Sequence, residues 1–207
     1  MKKSFFSLAS AAAVGIATTH FIAPAQAAKI AGFQTLGSQM TGMQVTAHFQ
    51  NGGSQNLTWA SSDTQSGGVN GNGWSLNQSG DTFNSPWILN ASQSLSSLII
   101  NAIPGNTVFD DGSHPSTEGS ERGWSFDVLL GNLPTSFPYS HPIEISAGDL
   151  FGKLTLTWDR GFTGELKFLA DTDTIVQAVP EATSVVGLLA FGVFGASSLM
   201  KRNSIRI

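Results

Sequence analysis

No cysteine occurs anywhere in the 207 residues, which excludes a disulfide framework, thiolate nucleophiles and zinc–thiolate sites together. Charge is scarce too. Asp, Glu, Lys and Arg make up 12% of the chain, about half the share of an ordinary soluble domain. Basic residues are rarest where they would matter for nucleic acid. Between Lys29 and Glu181 five bases face fourteen acids, a net charge of −9, and no basic stripe is left to follow a phosphate backbone. The common enzyme signatures are missing as well: no Gly-x-Ser-x-Gly elbow, no His-Glu-x-x-His helix, no Gly-x-x-x-x-Gly-Lys loop, and no Gly-x-Gly-x-x-Gly after a strand. Of the four histidines, His20 lies near the N-terminus, while His48, His114 and His141 are far apart, two of them followed by proline. They read as solvated residues rather than general bases, and the chain is expected to be no enzyme.

Long apolar runs are confined to the two ends. Met1 to Ala27 begins with Lys2 and Lys3, continues through an apolar stretch from Phe5 to Ile16, and ends on Ala25-Gln26-Ala27. A basic start, a short apolar run and small residues at the last and third-last positions are what signal peptidase requires, so cleavage is expected after Ala27. At the other end, Ala182 to Met200 carries no charge, and Lys201, Arg202 and Arg206 follow. As a helix those positions would span about 28 Å, close to a bilayer's hydrocarbon core. The basic cluster belongs on the cytoplasmic side, which leaves Lys29 to Glu181 outside.

Just before that segment stand Val179-Pro180-Glu181. The order of Pro-Glu, apolar span and short basic tail resembles the PEP-CTERM sorting signal of bacterial exosortase systems. It covers the last 29 residues, with Ala182 where the commonest form has a second proline. The resemblance implies a transient membrane anchor, cut by an exosortase near Pro180 and Glu181, and delivery of the released chain to the cell surface or an extracellular polysaccharide matrix. Pro180 cannot join a helical ladder and biases Val179 to an extended backbone, which keeps the segment open to such an enzyme. The wording around Ser79 to Asp110, Gly119 to Trp124 and Phe168 to Thr174 is also similar to exported domains of unknown role that accompany PEP-CTERM tails, notably in cyanobacteria.

Between the ends lies one domain by length. Gly, Ser, Thr and Asn dominate, and apolar residues recur at alternate positions: Val45, Ala47, Phe49; Leu57, Trp59; Trp74, Leu76; Trp124, Phe126, Val128, Leu130; Leu154, Leu156, Trp158; Leu166, Phe168, Ala170. Period two means strands with one inward face. Trp87 to Asn90 and Leu95 to Ile103 read as two further strands, and Asp159-Arg160-Gly161-Phe162 as a hairpin turn. The expected architecture is mostly β, an antiparallel β-sandwich of jelly-roll-like form. Residues 1–27 are the signal peptide, 28–178 the exported β domain, and 179–207 the sorting tail with its membrane helix.

Within the domain the densest acidic groups are Asp110-Asp111, near Glu118 and Glu121, and Asp171-x-Asp173. They admit two readings: carboxylates that cap their own turns, or oxygen ligands of a Ca²⁺ ion, although the spacing fits no EF-hand loop. Five tryptophans could stack sugar rings. Trp59, Trp124 and Trp158 sit in the apolar phase of their strands and are expected in the core, which leaves Trp74 and Trp87 as the exposed ones. Carbohydrate binding is therefore the second functional reading after a structural or interaction role at the surface, and paired carboxylates of a glycoside hydrolase are a third.

Overall fold

The computed structural model describes residues 29–143 and 146–176. They form twelve antiparallel strands and two single 3-10 turns, at Gly37–Met40 and Ile103–Gly105. In chain order the strands are β1 (Lys29–Gly32), β2 (Gln44–Phe49), β3 (Ser54–Thr58), β4 (Ala60–Ser61), β5 (Ser66–Gly71), β6 (Trp74–Ser79), β7 (Trp87–Asn101), β8 (Thr107–Asp110), β9 (Asp127–Leu130), β10 (Tyr139–Pro142), β11 (Leu150–Leu169) and β12 (Asp171–Val176). The main path of the sheet runs β1-β12-β8-β11-β7-β6-β5-β4, with β2 and β3 added beside β7, and β9 and β10 beside β11. Among the described residues no helix is long and apolar enough to cross a membrane.

Alternation builds these strands as the sequence implies. In β2, Val45, Ala47 and Phe49 are buried while Gln44, Thr46 and His48 stay partly exposed. Strands β5 and β6 meet across Asn72-Gly73, with Gly71 opposite Trp74, and Gly73 takes the left-handed φ of 81° that the reversal requires.

Two expectations need correction. The segments read as separate strands before and after Ser92 are one strand, β7, whose first half pairs with β6 and whose second half pairs with β2. The hairpin expected at Asp159 to Phe162 is a bulge inside the 20-residue β11. There, an advance of five positions on β11, from Thr157 to Phe162, is matched by an advance of only two on β7, from Ser97 to Leu95. Gly161, at φ 76°, absorbs the excess, so positive φ serves a bulge and the chain never reverses. Because Trp158 and Phe162 both turn inward and stack at 4.8 Å between ring centroids, burial rewards continuation across the irregularity.

The main core gathers around Trp87, which stacks on Phe168 at 6.0 Å and meets Trp59 edge-on at 5.4 Å. A smaller cluster of Ile30, Val108, Leu150 and Ile175 lies apart from it. Register explains the division. Strand β8 is buried on both faces: Phe109 joins the main core, while Val108 joins the small cluster.

Candidate functional site: an aspartate ladder under a polar loop

Strand β12 reads Asp171-Thr172-Asp173-Thr174-Ile175-Val176. Alternation puts Asp171, Asp173 and Ile175 on one face. In the antiparallel pair with β8, Asp171 stands directly opposite Asp110 and Asp173 opposite Val108. Three carboxylates therefore share the face that carries the small apolar cluster. Asp110, Asp171 and Asp173 are 1%, 2% and 1% exposed, and one oxygen from each lies within 4.8 Å of the others. Like charges directly across a ladder are ordinarily avoided.

The cover is the loop from Asp111 to Phe126. Gly123 lies so close that a Cβ there would come within 2.5 Å of the Asp110 Cγ, which is why this position holds glycine. The Asp171 N–H donates to the Trp124 carbonyl at 3.1 Å, and Arg122 Nε donates to the Gly112 carbonyl at 2.8 Å. Asp149 holds the middle of the loop, accepting from the Thr117 N–H at 2.6 Å, the Thr117 hydroxyl at 2.5 Å and the Ser146 hydroxyl at 2.9 Å.

Donors run short at the three ladder carboxylates. Asp171 Oδ1 accepts from the Thr82 hydroxyl at 2.9 Å and its neighbour's N–H at 2.8 Å. The single Ser120 hydroxyl hydrogen faces three acceptors: Asp110 Oδ2 at 3.2 Å, Asp173 Oδ2, and the Glu121 carbonyl at 2.9 Å. It can serve only one of them well. Asp110 Oδ1 is buried and meets no donor. Among the described residues no lysine, arginine or histidine forms an ion pair with any of the three. Burial, reinforced by the neighbouring Asp173, pushes the Asp110 carboxyl up to about 7. Burial likewise raises Asp171 to about 7 and Asp173 to about 6.

Asp111 belongs to a different arrangement. Its Oδ1 accepts from the Ser125 hydroxyl at 2.5 Å and the Ser113 N–H at 3.2 Å, and its Oδ2 from the Ser113 hydroxyl at 2.8 Å. Burial works against its charge, yet these bonds and nearby His114 outweigh burial and hold the carboxyl below its ordinary value. The two readings of the acids thus divide: Asp111 caps its own turn, while Asp171 and Asp173 lie inside a strand and cap none. Glu118 and Glu121 are exposed.

Asp111, Ser113 and His114 invite comparison with a catalytic triad, but the geometry is wrong for one. The Ser113 hydroxyl, at 3.0 Å, and Asp111 Oδ2, at 3.5 Å, both approach His114 Nδ1. A triad needs them on opposite ring nitrogens.

The tryptophans also sort differently from expectation. Trp74 and Trp87, expected at the surface, are buried, and their indole N–H groups donate to Gln55 Oε1 and the Ala170 carbonyl. Trp59 and Trp158 are buried as expected. Trp124, expected in the core, is 49% exposed and lies 5.9 Å from Phe83, itself 36% exposed. The strand expected to include it starts only at Asp127, and Trp124 belongs to the covering loop. The two rings line a cleft of about 670 Å³ with Ser113, Arg122 and Asp127, within the size range of small-ligand sites. A smaller cleft of about 180 Å³ shares Phe83 and Arg122 and reaches Asp171, with Asp81 and Glu121 on its walls.

Sequence reasoning missed Asp149, Ser120, Gly123 and Phe83. One signal was available for the ladder: Asp171 to Thr174 alternates acid with β-branched threonine, the pattern of a strand with an acidic face. The sorting residues Val179, Pro180 and Glu181, the signal-peptidase residues Ala25 and Ala27, and the basic Lys201, Arg202 and Arg206 lie outside the described residues. No family model, curated protein or solved structure matches this chain.

Proposed function

We propose that the chain is an exported protein of the cell surface or extracellular matrix, held briefly by its C-terminal apolar segment and released by an exosortase, with a structural or interaction role and no catalytic step. The same proposal takes the antiparallel sheet as a jelly-roll-like β-sandwich, preceded by a signal peptide and followed by a membrane helix. The observation that carries the processing reading is the pairing of β1 with β12, in which Lys29 stands opposite Val176. Chain entry and exit therefore lie side by side. The proposed cut sites, after Ala27 and near Pro180, fall just outside these two strands, so both ends can be removed with the sheet intact. Intact mass of the protein from the host's envelope and medium, compared with a strain lacking the exosortase, tests the reading. Loss of the tail from about Pro180 only in the competent strain is expected; a tail retained in both strains overturns it.

A second reading, carbohydrate binding, rests on Trp124 and Phe83. Exposed rings beside Arg122 and Asp127 offer stacking and hydrogen bonding together, as sugar rings require. A glycan array in which the protein binds and its Trp124→Ala variant does not is the expected result. The glycoside hydrolase reading finds less support, since the three close carboxylates sit on a covered ladder and not on opposite walls of a cleft.

A further inference from the structure

Three buried carboxylates on one face of a β ladder pose an electrostatic problem that the described residues do not solve by themselves. An ionised carboxylate out of water is tolerated when paired, hydrogen-bonded or bound to a metal. Among the described residues no cationic side chain pairs with the three, donors are outnumbered by oxygens, and Asp110 Oδ1 is enclosed with no donor. The oxygens are also close enough to share one ion. Ligands on opposite sides of a Ca²⁺ ion, each bound at about 2.4 Å, stand about 4.8 Å apart, and the three ladder oxygens lie within 4.8 Å of one another.

We propose that Asp110, Asp171 and Asp173 form a binding site for a single Ca²⁺ ion that fastens the covering loop to the β8–β12 ladder. Calcium is preferred over magnesium because its flexible shell of about six to eight oxygens accepts carboxylates bound through one oxygen or two, whereas Mg²⁺ demands octahedral geometry and keeps several waters, which a covered site does not readily hold. Zn²⁺ and Cu²⁺ are disfavoured by a ligand set of oxygen alone, without imidazole or thiolate. The Ser120 hydroxyl, already shared between Asp110 and Asp173, is placed to contribute a further oxygen from the loop. Entry is through the small cleft lined by Asp171, Asp81, Glu121 and Arg122, where carboxylates outnumber the one guanidinium and favour a cation. Asp111 and Asp149 are not ligands, because their oxygens are held by Ser113, Ser125, Thr117 and Ser146. The site is independent of how the chain is sorted.

The test uses the full chain in detergent, stripped with a chelator and titrated with CaCl₂ in a calorimeter, with thermal unfolding recorded at each end point. One Ca²⁺ per chain and an upward shift of the unfolding midpoint are expected. Asp110→Asn and Asp173→Asn each lower the affinity at least about tenfold, since affinity follows the charge of the ligand set. The exposed Asp159→Asn leaves it unchanged. Both ladder variants relieve like-charge repulsion, so their metal-free forms unfold no lower than the stripped parent, which keeps loss of binding distinct from loss of fold. Absence of heat and of any midpoint shift up to millimolar calcium overturns the proposal. Binding that survives both ladder substitutions also overturns it, by placing the ion elsewhere.

Discussion

The face of β8 that carries Phe109 and the face that carries Asp110 are equally buried, and they are buried by opposite means. Around Phe109 the aromatic rings of Trp87, Trp59 and Phe168 fill space with one another, and each indole N–H there finds a carbonyl, Gly37 for Trp59 and Ala170 for Trp87, both at 2.8 Å. On this side the buried Tyr139 hydroxyl, on a ring packed against Phe109, is left without a partner, but it is neutral. Around Asp110, burial leaves charged acceptors in excess. One face holds its charge balance within the described residues, whereas the other depends on protons or a cation. Stability should therefore respond to packing changes on the first face and to solution conditions on the second.

The largest expected break lies on the aromatic face. Trp87→Ala removes the ring that touches Trp59, Phe109 and Phe168, and should cost about 3–5 kcal/mol in denaturant unfolding at any calcium concentration. On the acidic face the corresponding steric test is Gly123→Ala. Its new methyl would have to displace Asp110 or the loop, at about 1–3 kcal/mol, and the effect should be accompanied by weaker calcium binding. Equal losses in calcium affinity from both substitutions would erase the distinction between the two faces.

Acid separates the faces without mutation. Asp110 and Asp171, at about 7, and Asp173, at about 6, lie above an unfolded value near 3.8. The folded metal-free protein then holds more protons than the unfolded chain between about pH 4 and 7, so its stability falls as pH rises through that window and levels off above it. Asp111, held low, acts in the opposite sense and only at more acid pH. Unfolding midpoints of the stripped protein should therefore be higher at pH 5 than at pH 8, and calcium should restore the midpoint at pH 8. Trp87→Ala should lower the midpoint equally at both values. A flat profile for the stripped parent would show that the ladder carboxylates titrate normally.

What could be read from the sequence follows the same division. Strands whose apolar residues alternate, such as β2 and β6, were legible because burial of one face is a local property with period two. The bulge at Gly161 was not, because a glycine of positive φ serves a turn or a bulge equally well. Only the partner strand, through Leu95 and Ser97, decides between them. The acidic pairs were legible as clusters and illegible as a ladder. Asp110 and Asp171 are 61 residues apart in sequence and meet only through the β8–β12 register. Trp124 misled for a related reason: it continues the alternation of Phe126 and Val128, yet the residues before it, Glu121, Arg122 and Gly123, have the composition of a loop.

The smallest expected effect on stability belongs to Trp124, and it sharpens the comparison because this ring is part of the acidic face's cover. Its indole contacts Phe83 at the surface, while the backbone carbonyl that receives the Asp171 N–H is kept by any residue at the position. Trp124→Ala should therefore change unfolding free energy by less than about 0.5 kcal/mol, the usual range of surface substitutions, and leave calcium affinity intact. Glycan binding should be lost. If stability instead falls as it does for a buried tryptophan, the Phe83 and Trp124 rings form part of the fold's packing, and the cleft they line is a structural seam instead of a binding surface.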